Sequence, residues 1–273
     1  MTIPKFQKTI LDWYKEHKRN LPWRNTKNPY RIMVSEIMLQ QTQVSRVLPK
    51  YKEFLQAFPD SKALATCKDS DLLAIWSGLG YWRRARFLKE ACKKIEQDFN
   101  GKFPKDVKTL LTLPGIGPYT AGAISCFAFG NTDAFIDTNI RRVYLHFFFQ
   151  DQTDVHDSEI LKIAKKAIPK EDARNWHWAL FDYGALVLKD KKINKKSRHY
   201  NKQSKFKGSF RSYRAKLMRN LLTQPDKSMP KTAALDFLED ELREDEQDYS
   251  PQEIIKSLIA DNLIKQNNTR IFL

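Results

Sequence analysis

The chain has 273 residues, 41% of them apolar, with 6 Trp and 17 Phe, enough for sizeable cores in two or three domains and too apolar for intrinsic disorder. Its 48 Lys and Arg against 32 Asp and Glu leave a formal charge of +16, a field that attracts polyanions, of which nucleic acid is the commonest inside cells. No run reaches the roughly 18 apolar residues of a spanning helix, the N-terminus MTIPKFQKTI shows no signal-peptide pattern, and Cys67, Cys92 and Cys126 are scattered, which together suit a cytoplasmic protein with buried structural thiols and no membrane role.

In chain order, apolar residues recur at helical spacing in KFQKTILDWYKEH, IMVSEIMLQQTQVSRVLPKYKEFLQAF, DSDLLAIWSGLG and ARFLKEACKKIEQDF, then in DVKTLLTL, TAGAISCFAFG, NIRRVYLHFFF, SEILKIAKKAI and NWHWALFDYGALVL. Breaks fall at LPWRNTKNPYR, FPDSK, FNGKFPKD and PGIGP. Alternating strand patterns are almost absent before residue 262 and no repeat is visible, so the body reads as all-α.

The composition changes near Lys189: from Lys191 through Arg219 there are twelve Lys/Arg and no Asp or Glu, and after Asp226 the balance reverses in LEDELREDEQD. The basic stretch 191–207 reads as a linker; Tyr200, Phe206, Phe210 and Tyr213 interleave its cations and those that follow, a pattern that suits a groove or backbone contact as much as a solvated tail. Beyond it, RAKLMRNLLTQ, KTAALDFLEDEL and SPQEIIKSLIADN read as helices, the last with Ser250 as N-cap and Pro251 at its first position. LIKQNNTRIFL turns at Asn267-Asn268 as a hairpin. Three helices and a hairpin is the order of a winged-helix module over 208–273.

The stretch TLPGIGPYTAGAI stands out: a helix ends, the chain turns at LPGIG, and a second helix begins near Pro118. Gly115 and Gly117 remove the Cβ atoms that would hold a ligand off the backbone, and exposed amides at a helix N-terminus suit a phosphate. Leu113, Gly115, Ile116 and Gly117 therefore form a candidate DNA contact that grips without reading sequence. It resembles the helix-hairpin-helix motif. Twenty residues past Gly117, Asp137 precedes a helix start in AFIDTNIRRV; it reads either as an N-cap or as a carboxylate at the mouth of a cleft.

PYRIMVSEIMLQQTQV puts Glu36 on a helix, with Leu39 and Gln40 three and four residues on along its face. With LPWR, GLGYWRRA, LPGIGPYTAG and ALFDYGAL in order across residues 4–188, the chain closely resembles the MutY-type adenine DNA glycosylases of the helix-hairpin-helix superfamily. The resemblance implies a two-lobed glycosylase fold: residues 1–20 with 132–190 as one lobe and 21–131 as a six-helix domain. It implies that Glu36 protonates adenine at N7, Asp137 stabilises the oxocarbenium-like sugar, Tyr119 neighbours both acids, and Asn139 supports Asp137. Trp23, Arg24, Leu39 and Asp182 would line the base pocket, and Gln40, Gln41, Thr42 and Tyr81 would contact or wedge the duplex. Endonuclease III-like members have Lys where this chain has Tyr119, and a phenol cannot form their imine, so base removal without efficient strand cleavage is expected.

Two departures shape the expectation. Relatives carry a C-x6-C-x2-C-x5-C run soon after the segment matching YGAL, where this chain reads VLKDKKINKKSRHYNKQSKF; no iron–sulfur cluster or other metal cofactor is expected, with room left for a monovalent cation at the hairpin. Lys191, Lys192, Lys195 and Lys196 take the place of that loop as DNA contacts. Residues 206–273 are also too few for the Nudix-like domain of long relatives. The expected partner is duplex DNA with a mispaired or damaged base, bound by a monomer. A thymine or uracil mismatch glycosylase and a non-catalytic damage-binding protein are the competing readings; retention of both Glu36 and Asp137 favours the adenine enzyme.

Overall fold

A computed structural model describes residues 1–273, apart from the side chain of Lys191. Its α-helices, in chain order, are α1 (Ile3–His17), α2 (Pro29–Leu39), α3 (Val44–Ala57), α4 (Ser61–Thr66), α5 (Asp69–Trp76), α6 (Arg83–Phe99), α7 (Val107–Leu110), α8 (Pro118–Phe129), α9 (Thr138–Phe148), α10 (Asp157–Ala167), α11 (Ala173–Leu186) and α12 (Phe210–Thr223). Strand β1 (Ser228–Pro230), helices α13 (Lys231–Glu244) and α14 (Pro251–Ala260), and strands β2 (Lys265–Gln266) and β3 (Arg270–Phe272) complete the chain. The body is all-α, as its periodicity implies. Two compact units form, one from residues 1–37 and 102–202, the other from 38–101 and 203–273. These boundaries differ from those drawn on the sequence: 21–37 and 102–131 group with residues 1–20 and 132–202, and 203–273 group with 38–101.

In the first unit α1 buries Phe6, Ile10 and Tyr14, one stripe at helical spacing. Phe6 meets Trp176 of α11 edge-on at 5.4 Å, and Tyr144 and Phe148 of α9 at 5.3 and 5.0 Å. Such pairs add about 0.5–1.5 kcal/mol each beyond the area they bury. Arg142 of α9 is also buried and donates to Gly184 O at 2.7 Å, Leu188 O at 3.2 Å and Asn194 Oδ1 at 3.2 Å. A guanidinium thus satisfies carbonyls at the end of α11, where a cation also meets the negative end of the helix.

That contact gives the first part of the stretch read as a linker, 191–198, a fixed structure. Lys191–Lys196 is a 3₁₀ turn capped by Asp190, with Asn194 buried on Arg142. Val155 donates its N–H to Lys196 O at 2.8 Å and accepts from Arg198 N at 3.0 Å. The determinant is a buried guanidinium some 50 residues away in sequence, invisible to a count of local charge.

In the second unit the continuous apolar periodicity of 32–58 is broken: α2 ends at Leu39 and α3 begins at Val44. Gln41 sits at φ 54° in that turn and Tyr81 at φ 48° in the turn before α6, left-handed backbone that non-glycine residues seldom hold. Arg84 holds both turns. Its guanidinium donates to Met38 O at 2.8 Å, Gln40 O at 2.5 Å, Thr42 Oγ1 at 3.0 Å, and Leu79 O and Gly80 O at 3.1 Å, with its plane 5.4 Å from the Trp76 ring.

The C-terminal module runs helix–strand–helix–helix–strand–strand, a winged-helix order that includes β1, a strand the sequence did not announce. The sheet is antiparallel in the order β1-β3-β2, with Ile271 opposite both Met229 and Gln266. Ser250 caps α14 by accepting from Glu253 N at 3.3 Å, and Asn267 Oδ1 closes the β2–β3 turn on Arg270 N at 2.8 Å. The module is tied to α6 through its Asp261, which pairs with Arg83 at 3.2 Å while Arg86 donates to Asp261 O and Asn262 O.

Replacing Arg84 strips its acceptors of a charged donor and frees two strained turns. Arg84→Met should lower stability by about 3 kcal/mol in urea unfolding. A change below about 0.5 kcal/mol would show that the turns hold themselves.

Candidate active site

The hairpin forms as its residues require. α7 and α8 are joined through Gly115 at φ 74°, Gly117 is the N-cap of α8 and Pro118 its first residue. A Cβ built on Gly117 meets nothing within 4 Å, so the backbone there is open to a ligand. The four expected contacts divide: Gly115 and Gly117 are exposed, whereas Leu113 and Ile116 are buried and anchor the turn from within. Their side chains are core, which the apolar residue type already implies.

Glu36 lies on α2 and is only 4% exposed. Its neighbours Ile32, Met33, Val34, Ile37 and Met38 are all buried. Burial pushes its carboxyl up to about 7; the hydroxyl of Tyr119, which donates to Glu36 Oε2, pulls the other way, and the charge of Asp137 adds to the rise. The Tyr119 phenol is itself held well above its ordinary value, by burial first and then by the charge of Glu36. At neutral pH the pair therefore offers a carboxyl poised between its two forms and a phenol that keeps its proton.

Asp137 resolves the two sequence readings by being both. It caps α9, accepting from Ile140 N at 2.6 Å on Oδ1, while Asn139 Nδ2 donates to Oδ2 at 3.0 Å. The residue keeps partial exposure. Burial raises its carboxyl, and these donors with the Arg141 guanidinium oppose the rise. Two glycines make room for this segment: a Cβ on Gly184 of α11 would stand 2.5 Å from Asn139 O, and one on Gly122 of α8 would stand 2.7 Å from Phe135 Cβ.

Trp23 and Arg24 form a 3₁₀ turn with Pro22, both side chains largely buried. Asp182 is fully buried and saturated: Arg24 donates to it at 2.7 and 2.8 Å, and Arg19 through its backbone N at 3.1 Å, Nε at 2.7 Å and Nη2 at 2.6 Å. Burial opposes its ionisation, but the two guanidiniums outweigh that and hold the carboxyl below its ordinary value. Its oxygens are thus committed to protein donors. Arg24 Nε is buried with no acceptor among the described residues. Arg19, which the sequence reading missed, lies five positions before Arg24; in so basic a chain its charge singled out nothing.

Leu39, Gln40, Gln41, Thr42 and Tyr81 lie in the second unit. Leu39 closes α2, but Gln40 has left the helix, so the two do not continue one helical face. Gln41 and Tyr81 are exposed at their turns, and Thr42 donates to Gln40 O and Leu79 O, both at 3.3 Å. In the basic segment Lys192 and Lys195 are exposed, Lys196 is spent on Phe149 O and Gln150 O, and the side chain of Lys191 lies outside the described residues. Among the described residues no three His, Cys, Asp or Glu come together as metal ligands. Cys92 and Cys126 are buried, as expected, whereas Cys67 is half-buried.

Residues 34–170 match the family described as HhH-GPD superfamily base excision DNA repair protein. An adenine DNA glycosylase of Buchnera aphidicola subsp. Baizongia pistaciae is 40% identical over 189 residues, 68% of this chain and 54% of the relative. One from Mycolicibacterium smegmatis is 39% identical over 182 residues, 65% of this chain and 61% of the relative. The chain therefore spans between half and two thirds of the length of these curated relatives. Among solved structures, a thermostable thymine-DNA glycosylase superposes with a TM-score of 0.65 at 29% identity, covering 70% of this chain and 89% of that one. A non-covalent endonuclease III–DNA complex shares the fold, with a TM-score of 0.59 at 22% identity over 70% of this chain and 89% of its own. With its glycine hairpin, its capped Asp137 and a family match across half its length, the chain belongs to the HhH-GPD superfamily of base-excision DNA repair proteins.

Proposed function

We propose that the chain is a monofunctional DNA glycosylase that flips adenine out of mispairs with 8-oxoguanine or G and hydrolyses its N-glycosidic bond. The observation that carries this reading is a buried Glu36 with a pKa of about 7, hydrogen-bonded to a phenol and electrostatically coupled to a capped Asp137. Duplex DNA is the partner. The exposed backbone of Gly115 and Gly117 takes a phosphate, and Gln41 and Tyr81 fill the gap that flipping leaves.

In the reaction Glu36 gives its proton to N7 of the flipped purine, and the C1′–N9 bond breaks with its electron pair leaving on the base. Ionised Asp137 faces the positive charge that develops on the sugar, and water adds its oxygen at C1′ while its proton returns to the carboxylates. Tyr119 holds the Glu36 carboxyl in place, with no amine available there for imine chemistry and strand cleavage. Arg24, braced by Asp182, offers its unpartnered Nε to the base. Asp182 orients this guanidinium and does not itself accept from the adenine amine.

The chain works without an iron–sulfur cluster. Where the resemblance places four cysteines stand Asn194 on Arg142 and the Val155–Ser197 bridge, and no cysteine follows Cys126. The likeness to a thymine-DNA glycosylase supports a second reading, mismatch thymine removal. Glu36 separates the two, since a pyrimidine has no N7 to protonate.

Single-turnover cleavage on duplexes with A opposite 8-oxoguanine, A opposite G, T opposite G and U opposite G tests the reading. Alkali-dependent breaks at adenine should fall at least ~10²-fold in Glu36→Gln and in Asp137→Asn. Breaks at T or U alone would sink the adenine assignment, and binding without breaks would favour a damage sensor.

The pH profile follows from the raised carboxyl. The protonated form of Glu36 dominates below about 7, so the rate should decline as pH rises through 7. In Glu36→Gln this decline should vanish; its persistence would assign the titration elsewhere. Gly184→Ala, in contrast, should lower the base-removal rate by driving a methyl into the Asn139 carbonyl beside Asp137. Unchanged single-turnover rates in that variant would show that Asp137 tolerates the displacement.

A further inference from the structure

Gln41 and Tyr81 lie in turns 40 residues apart, yet a third segment joins them. Gln203 Nε2 donates to Gln41 Oε1 at 3.0 Å and also to the Tyr81 hydroxyl. Arg211, in the first turn of α12, donates from Nη1 to the same hydroxyl at 3.2 Å. It is held there by Ser204 O and by the ring of Phe206, 5.7 Å from its guanidinium carbon. Arg211 Nε has no acceptor among the described residues. The ring of Tyr81 is also flanked by Arg84 at 5.5 Å. Two side chains of the C-terminal segment and two of the turns braced by Arg84 thus make a single cluster of two amides, a phenol and a guanidinium.

The cluster is built and it is open. Residues in left-handed backbone are strained and persist where the surroundings over-determine them. Here Arg84 supplies that determination to both Gln41 and Tyr81. Tyr81 is nevertheless 39% exposed and Phe206 52% exposed, large aromatic faces of the kind on which unpaired bases stack. Amide and guanidinium groups beside such a face read base edges.

The charge of the module points the same way. Between Lys231 and Asp261 there are ten acidic residues and three basic ones. Helix α14, the third helix and so the one a winged-helix module would lay in a major groove, carries Glu253 and a single cation, Lys256. Its C-terminal end is engaged by Arg83 and Arg86 of α6. This helix is ill suited to a polyanion, whereas the segment from Lys202 to Arg219 that carries Gln203 and Arg211 has no acid at all.

We infer that Gln203 and Arg211 are specificity-determining residues that act with Gln41 and Tyr81 as one unit recognising a disrupted base pair in duplex DNA. The winged-helix module serves as the rigid mount of this unit and not as a reader of the groove. The inference rests on the glycosylase reading for its ligand, and reaches further by assigning recognition to residues that the resemblance does not cover.

Binding by the full chain tests it, with fluorescence anisotropy on a duplex carrying a tetrahydrofuran abasic site and on the same duplex intact. Gln203→Ala and Arg211→Ala should each reduce the abasic-to-intact affinity ratio by about fivefold or more, with thermal midpoints unshifted. In a cycle with Tyr81→Phe, the loss in the double variant Tyr81→Phe/Arg211→Ala should be smaller than the product of the single losses. Arg211→Lys keeps the charge and loses the planar fork, and should reduce the ratio as the alanine variant does. Equal weakening on both duplexes with a salt slope lower by about 1 would reduce Arg211 to a phosphate contact and overturn the inference. Independent, multiplying losses would do the same. Adenine release by the wild type, followed in parallel, separates the two ideas. Release with an unmoved affinity ratio removes the cluster alone; a coupled cluster without release removes the glycosylase reading alone.

Discussion

The site depends on keeping one carboxyl dry. Glu36 is carried by a helix whose neighbouring residues are all buried, so its side chain has nowhere to go but into the protein. An ionised carboxylate in such surroundings is costly, and the group answers by moving its pKa instead. What accompanies it then decides what it can do. A lysine at position 119 would pair with Glu36 and draw the carboxyl back down. A phenol hydrogen-bonds without bringing a charge, and Tyr119 holds its own proton firmly. The residue that brings no amine therefore leaves the Glu36 carboxyl raised.

Burial raises the Asp137 carboxyl as well, and hydrogen-bond donors oppose the rise. It stands at the start of a helix, where the amide of Ile140, the side chain of Asn139 and the positive end of α9 all favour the charged form. Reaching that position needs space, and the space comes from atoms that are absent. Gly184 lets α11 touch the Asn139 carbonyl, and Gly122 lets α8 lie on Phe135, two residues before Asp137. Arg142 then locks the far end of α11 by filling the carbonyls of Gly184 and Leu188. Glu36 is set by what surrounds it, and Asp137 by what packs behind it.

The parts legible in the sequence were those whose residue type and spacing speak for themselves. The glycines and prolines of LPGIGP announce a turn between helices, and Ser250-Pro251 and Asn267-Asn268 announce a cap and a hairpin turn, all as found. What escaped was decided by distant partners. The turn at 40–43 interrupts no periodicity, because it is held by Arg84 from another helix. The 3₁₀ turn at 191–196 exists because Asn194 meets Arg142, and β1 exists because β3 arrives 40 residues later to pair with it. Arg19 and Arg84 were passed over for a related reason. In a chain with 48 basic residues, one more arginine carries no signal until its burial is seen.

The acidic end of so basic a chain has a physical use. α6 and α12 bring Arg83, Arg86 and Arg214 to one place, an arrangement that self-repulsion would oppose on its own. Asp261 pairs with Arg83 and Arg214, and the carbonyls that close α14 receive Arg86. Farther along α12, Lys216 is taken up by Glu241 at 2.5 Å and by Asp245 at 2.8 Å, while Asp245 also accepts from the Tyr213 hydroxyl. These acids of the module are thus consumed by cations of its own unit, fixing α12 in position and neutralising the side from which they come. The unpaired excess of positive charge is left to the segments that precede the module, where Lys192, Lys195 and Lys202 are exposed. A net charge of +16 is therefore sorted unevenly along the chain, with helices α13 and α14 on its acidic side.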